Sequence, residues 1–165
     1  MAAKSSKIRY INPEALKTSP SYTHVVEASS PSRTVYIAGQ LGAGRDGKLV
    51  GAPGDFRAQA VQVFDNLKAA LAAVGAGFTD VVKLNSYLAD IAHIAILREV
   101  RGGYLNADAL PASTTIEVSK FALPGALLEV EAVAVLPLKA ARAKAQAARG
   151  GAHSAKLKAG PRKRK

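Results

Sequence analysis

Cysteine is absent from this chain, so the sequence offers no disulfide, no thiol nucleophile and no thiolate ligand for a metal. Histidine is scarce. The three present, His24, His93 and His153, stand far apart, and no two share a metal-ligand spacing, so a histidine-built zinc or non-haem iron site is not expected. No segment reaches the roughly 18 uninterrupted apolar residues of a membrane-spanning helix. The first residues, MAAKSSKIRY, lack the apolar stretch of a secretory signal. The expectation is a cytoplasmic protein with no membrane partner. Aromatic residues are few as well, at 5% against 48% hydrophobic residues overall. That ratio predicts a compact core of Ala, Val, Leu and Ile, and a length of 165 residues suits one domain.

Charge is abundant but unevenly placed. The chain holds 23 basic and 12 acidic residues, a net of +11. From Pro137 onward stand ten Lys or Arg and no Asp or Glu, which leaves residues 1–136 with 23 − 10 = 13 basic against 12 acidic, a net of +1. Two parts follow: a nearly neutral domain, residues 1–136, and an Ala/Lys/Arg-rich tail, residues 137–165. The tail carries no large aromatic to stack on bases, and its composition reads as a disordered basic segment. Such a segment can bind nucleic acid non-specifically, through counterion release, or stay a solvated tail with no dedicated partner.

Within the domain, residues 1–20 are polar and interrupted by Pro13 and Pro20, which reads as an arm or a short edge strand. HVVEA (24–28) and TVYIAGQL (34–41) have the β-branched and aromatic content of strands, with a turn between them. The glycine-rich stretch 42–54 contains Asp46-Gly47, a natural two-residue hairpin turn. From Asp55 to Val74, apolar residues recur at three- and four-residue steps, predicting a helix that Asp55 caps and Gly75 and Gly77 end. A strand at 79–88, a helix from 91 to 106 weakened by Gly102-Gly103, and strands at 114–118 and 127–136 complete the pattern. In the last strand Glu129 and Glu131 share one face. The order β-β-α-β-α-β-β predicts an α+β fold, with two helices on one face of a mixed sheet. Such a sheet keeps one bare face, and the expected consequence is a second copy of the chain or a ligand against it.

Two glycine motifs in the loop do not carry phosphate chemistry. Gly42-Ala-Gly44-Arg-Asp-Gly47 spells the dinucleotide pattern, but Lys-Leu-Val-Gly-Ala-Pro (48–53) intervenes before the helix begins, so no helix N-terminus receives a pyrophosphate. Gly42 to Lys48 also approaches a P-loop, yet Leu49 stands where a magnesium-binding hydroxyl is required.

Six segments then occur in a familiar order: Ser21-Tyr22; Ala38-Gly39-Gln40; Gln59 with Asp65-Asn66-Leu67; DVVKLNSYLAD (80–90); LPASTTIEV (110–118); and LEVEAVA (128–134). Over residues 10–136 the chain resembles the Rid (YjgF/RidA) family. The resemblance implies a chorismate-mutase-like fold assembled as a homotrimer with small-molecule clefts between subunits. It also implies hydrolysis of 2-imino acids or their enamine tautomers to 2-oxo acids and ammonia, without metal or organic cofactor. It places Tyr22, Gly39, Arg98, Ser113 and Thr115 at ligand-binding positions and Glu129 as the carboxylate that positions water. One substitution stands out. Where the family's imine deaminases carry an arginine that clamps the substrate carboxylate, this chain has Ser113. A guanidinium offers two parallel charged hydrogen bonds and a hydroxyl one neutral bond. Arg98, aligned with a cleft asparagine, is the candidate for a relocated cation, and Ala38 stands where a serine is common. A deaminase-like hydrolase of altered substrate range and a non-catalytic metabolite-binding or regulatory protein with a nucleic-acid-binding tail are both compatible with these residues.

Overall fold

The computed structural model describes residues 7–17, 19–29 and 32–137; apart from Pro137, the expected basic tail lies outside them. The polar arm forms strand β1 (Lys7–Ile11), which pairs antiparallel with β2 (Val25–Ser29), Ile11 lying opposite Val25. Arg9 and Glu27 face each other across this ladder at 2.7 Å, and Asn12 Oδ1 accepts the His24 N–H at 2.9 Å where the connecting loop returns. The ladder stands apart from the main sheet, so the strand expected at 24–28 joins the arm and not the central sheet.

The main sheet has four strands in the order β3 (Ser32–Leu41), β6 (Leu128–Pro137), β4 (Val81–Leu88) and β5 (Ala112–Glu117). The β3–β6 and β6–β4 pairs are antiparallel and the β4–β5 pair is parallel. A parallel pair needs a crossover, which the second helix supplies. Between Ile37 and Gln40 the β3–β6 register shifts. The bulge adds a residue at Ala38-Gly39, which turns the local strand relative to its partner.

Helix α1 (Phe56–Ala73) forms as its periodicity predicts. Asp55 Oδ1 accepts the Ala58 N–H at 2.9 Å, and Gly75 takes a positive φ of 72° just past its end, where a glycine adopts the left-handed region without strain. Phe64, Leu67 and Leu71 on its inner face are fully buried, each burial being worth about 1.5–3 kcal/mol. They pack on Leu84, Leu88, Leu128 and Val130 of the central strands within one core cluster.

The second helix is shorter than its sequence suggests. Residues Ile91–His93 form a single 3-10 turn, and α2 runs only from Ile94 to Gly102. Gly102-Gly103 ends it four residues before Asn106, because each glycine weakens a helix by roughly 1 kcal/mol and the Gly103 N–H closes back on the Val100 carbonyl at 3.1 Å. Both helices pack on one face of the sheet. The glycine loop is a turn, as expected: Gly47 (φ 77°) donates to the Gly44 carbonyl, and Gly44 donates to Lys48. Among the described residues no helix is long and apolar enough to cross a membrane.

Candidate functional site

Tyr22, Arg98, Ser113 and Thr115 line one cavity of about 210 Å³ beside α2 and β5. Ser113 and Thr115 sit opposite Leu84 and Ser86 in the parallel ladder, and those two are buried under the helices. Side chains alternate across a strand, so both hydroxyls point to the helix-covered side. Tyr22 follows Ser21 in the loop before β2, its ring edge-on to His24 at 5.1 Å.

The same cavity contains a residue that the sequence reading passed over, Arg101. It is only 6% exposed. Its Nη1 donates to Ser113 Oγ at 3.2 Å and its Nη2 to the Ser21 carbonyl at 2.8 Å. A guanidinium from the last turn of α2 therefore stands over Ser113. Its partners are neutral. The ion pairs found among the described residues are Arg9–Glu27 and Arg57–Glu99, and neither involves Arg101. Burial, and after it the like charge of Arg98, holds the Arg101 pKa below its ordinary value. Both effects oppose a lone cation here. The signal for Arg101 was present in the sequence, at four residues after Leu97 and seven after Ile94. That is the apolar stripe of α2, where a charge is unusual.

Gly39 and Glu129 lie elsewhere. Leu128 and Val130 are core residues, so by alternation Glu129 and Glu131 project from the opposite, uncovered face of the sheet. The β3 bulge brings Gly39 to Glu129 so closely that a Cβ on Gly39 would overlap the carboxylate. Beside them, Glu131 accepts hydrogen bonds from Asn85 Nδ2 at 2.7 Å and from the Tyr87 hydroxyl at 3.1 Å. Burial first, and then that carboxylate, raises the pKa of Tyr87, keeping it a neutral donor. Strand β4 separates β6 from β5. Within one chain, Glu129 and the arginine pocket are on opposite sides of the sheet. No group of three or more His, Asp or Glu suited to a metal occurs among the described residues.

Two helices on one face of a mixed sheet with this strand order define an α+β protein of the Rid type. The crystal structure of the conserved Rid-family protein YyfB from Yersinia pestis matches with a TM-score of 0.71 and 38% sequence identity, covering 78% of this chain and 98% of that one. Residues 12–136 match the family described as Endoribonuclease L-PSP, and the chain belongs to this family, that of the Rid proteins. Protein DfrA of Myxococcus xanthus is 46% identical over 83 residues, 50% of this chain and 61% of DfrA. The rat 2-iminobutanoate/2-iminopropanoate deaminase is 40% identical over 105 residues, 62% of this chain and 73% of that protein.

Proposed function

We propose that this Rid-family protein binds a small anionic metabolite in clefts between the subunits of a homotrimer and there hydrolyses an imine or its enamine tautomer. The observation that carries this reading is Arg101. Ser113 removes a cation from the expected clamp, and Arg101 returns one to the same spot from a different element. A buried guanidinium with neutral partners is compensated by an anion, and a carboxylate matches its donor fork.

The trimer supplies what one chain lacks. Glu129 and Gly39 stand on the bare sheet face, where Tyr36 is 80% exposed and Ile116 46%. When a second subunit covers that face, its arginine pocket and this Glu129 face a shared cleft. Glu129 then accepts a proton from water as the water oxygen attacks the imine carbon. Glu129 passes that proton to the adduct's nitrogen, the hydroxyl proton follows as the adduct collapses, and the C–N bond breaks. Nitrogen leaves as ammonia and the carbon becomes the carbonyl of a 2-oxo acid. Similarity to the rat deaminase supports this chemistry.

The test is the decay of freshly generated 2-iminobutanoate with and without the purified protein. Acceleration is expected, falling at least 100-fold in Glu129→Ala, the scale on which positioned general bases contribute. Decay at the uncatalysed rate with wild-type protein would sink the hydrolytic reading.

A further inference from the structure

The cavity holds two cations, not one. Arg98 lines it with Arg101, and the same pair also lines an adjoining hollow of about 200 Å³ that runs past Pro20 and Leu105. The arginines thus stand between two small recesses. Neither lining includes an Asp or Glu. Elsewhere on this helix a charge is matched, since Glu99 takes a bidentate bond from Arg57 at 2.7 and 2.8 Å. Arg98 sits one residue before Glu99 and three before Arg101, so it shares a helix flank with the second cation. Two like charges held side by side, one of them buried and bonded only to a hydroxyl and a carbonyl, repel each other until an anion lies between or across them.

We infer that the ligand of this pocket carries two acidic groups: one is gripped by Arg101 at Ser113, and the other is met by Arg98 at the more exposed rim. This rests on the reading of the pocket as a small-anion site and specifies its substrate class. The volume limits the rest of the molecule. At about 210 Å³ the cavity falls below the roughly 300–1,000 Å³ of drug-sized sites, so the fitting ligand is a short-chain dicarboxylate skeleton or an anion of similar size. Ser113, Thr115 and the Ser21 carbonyl supply neutral hydrogen-bonding partners around the buried end. A single-charge ligand would leave Arg98 uncompensated against Arg101.

Titration calorimetry of the full-length protein with succinate and with succinamate tests this, since the two share shape and differ in one charge. Succinate is expected to bind at least tenfold tighter, in the range that a charged hydrogen-bonded partner contributes. In Arg98→Gln, an exposed position that tolerates change, the succinate-to-succinamate ratio should fall towards one. Arg101→Lys keeps the charge but loses the fork, and should weaken both ligands. Equal affinity of the wild type for both ligands would overturn the two-charge inference while leaving the small-anion reading intact. A ratio that survives Arg98→Gln would overturn it too. Absence of binding by either ligand would overturn the two-charge inference as well, and only if 2-iminobutanoate also goes unhydrolysed would the underlying reading fall with it.

Discussion

At the residue scale, most of what shapes this molecule is close approach. Gly42 heads a motif that imitates a nucleotide loop, but its role is packing. A Cβ there would lie 2.6–2.8 Å from Gln59 Cβ, Cα and carbonyl oxygen, and two of those are helix backbone that does not yield. Asn66 reinforces the same contact by donating to the Leu41 and Ala43 carbonyls at 3.0 and 2.9 Å. Gly42→Ala is expected to destabilise the fold by about 2 kcal/mol, the scale of overpacking in a tight core, as measured by urea unfolding. An unchanged midpoint would show that the loop moves freely away from α1. Gly39 differs in kind, because the neighbour it makes room for is the flexible Glu129 side chain and not backbone.

At the element scale, α1 organises the sheet's end through one polar side chain. Gln59 is 2% exposed, donates from Nε2 to the Gly125 carbonyl at 3.1 Å and accepts the Leu127 N–H at 2.9 Å. It thereby sets the loop that delivers β6, and with it Glu129, into the sheet. Gln59→Leu keeps the volume and strands both backbone groups. The expected cost is about 2 kcal/mol, since an unsatisfied buried group costs roughly 1–3 kcal/mol, and faster amide exchange at Leu127 reports it. Retention of wild-type stability would mean that water replaces the bridge. The second helix shows the opposite tendency. Periodicity placed it over 91–106, but a 3-10 turn and the Gly102-Gly103 pair cut it to nine residues. The shortening leaves Arg101 in the last turn, where a cation also complements the helix dipole.

At the scale of the whole molecule, one sheet face is covered and the other is bare. The bare face is amphiphilic: Tyr36 and Ile116 lie on the same side as the Asn85–Glu131–Tyr87 network. If three chains meet there, burying Tyr36 contributes on the order of 2 kcal/mol per subunit. Tyr36→Glu would set a carboxylate against the next chain's face. Light scattering on the variant should then show monomer where the wild type shows trimer, together with loss of any imine hydrolysis. A wild type that is monomeric by the same measurement would contradict the intersubunit cleft.

The sequence alone determined the elements, because alternation and helical periodicity are local properties of the chain. Asp55 as cap, the Asp46-Gly47 turn, the face shared by Glu129 and Glu131, and the order of strands and helices were all legible for that reason. The six ordered segments made the family legible too. Only tertiary structure decided the site. Arg101 reaches Ser113 because α2 crosses back over β5, and it reaches Ser21 across a separation of 80 residues; no spacing rule encodes such a meeting. The strand at 25–29 left the central sheet for the same reason, since its periodicity names a strand but not a partner. Which face of the sheet receives the helices is settled by packing, and that choice put Glu129 on one side and the two arginines on the other.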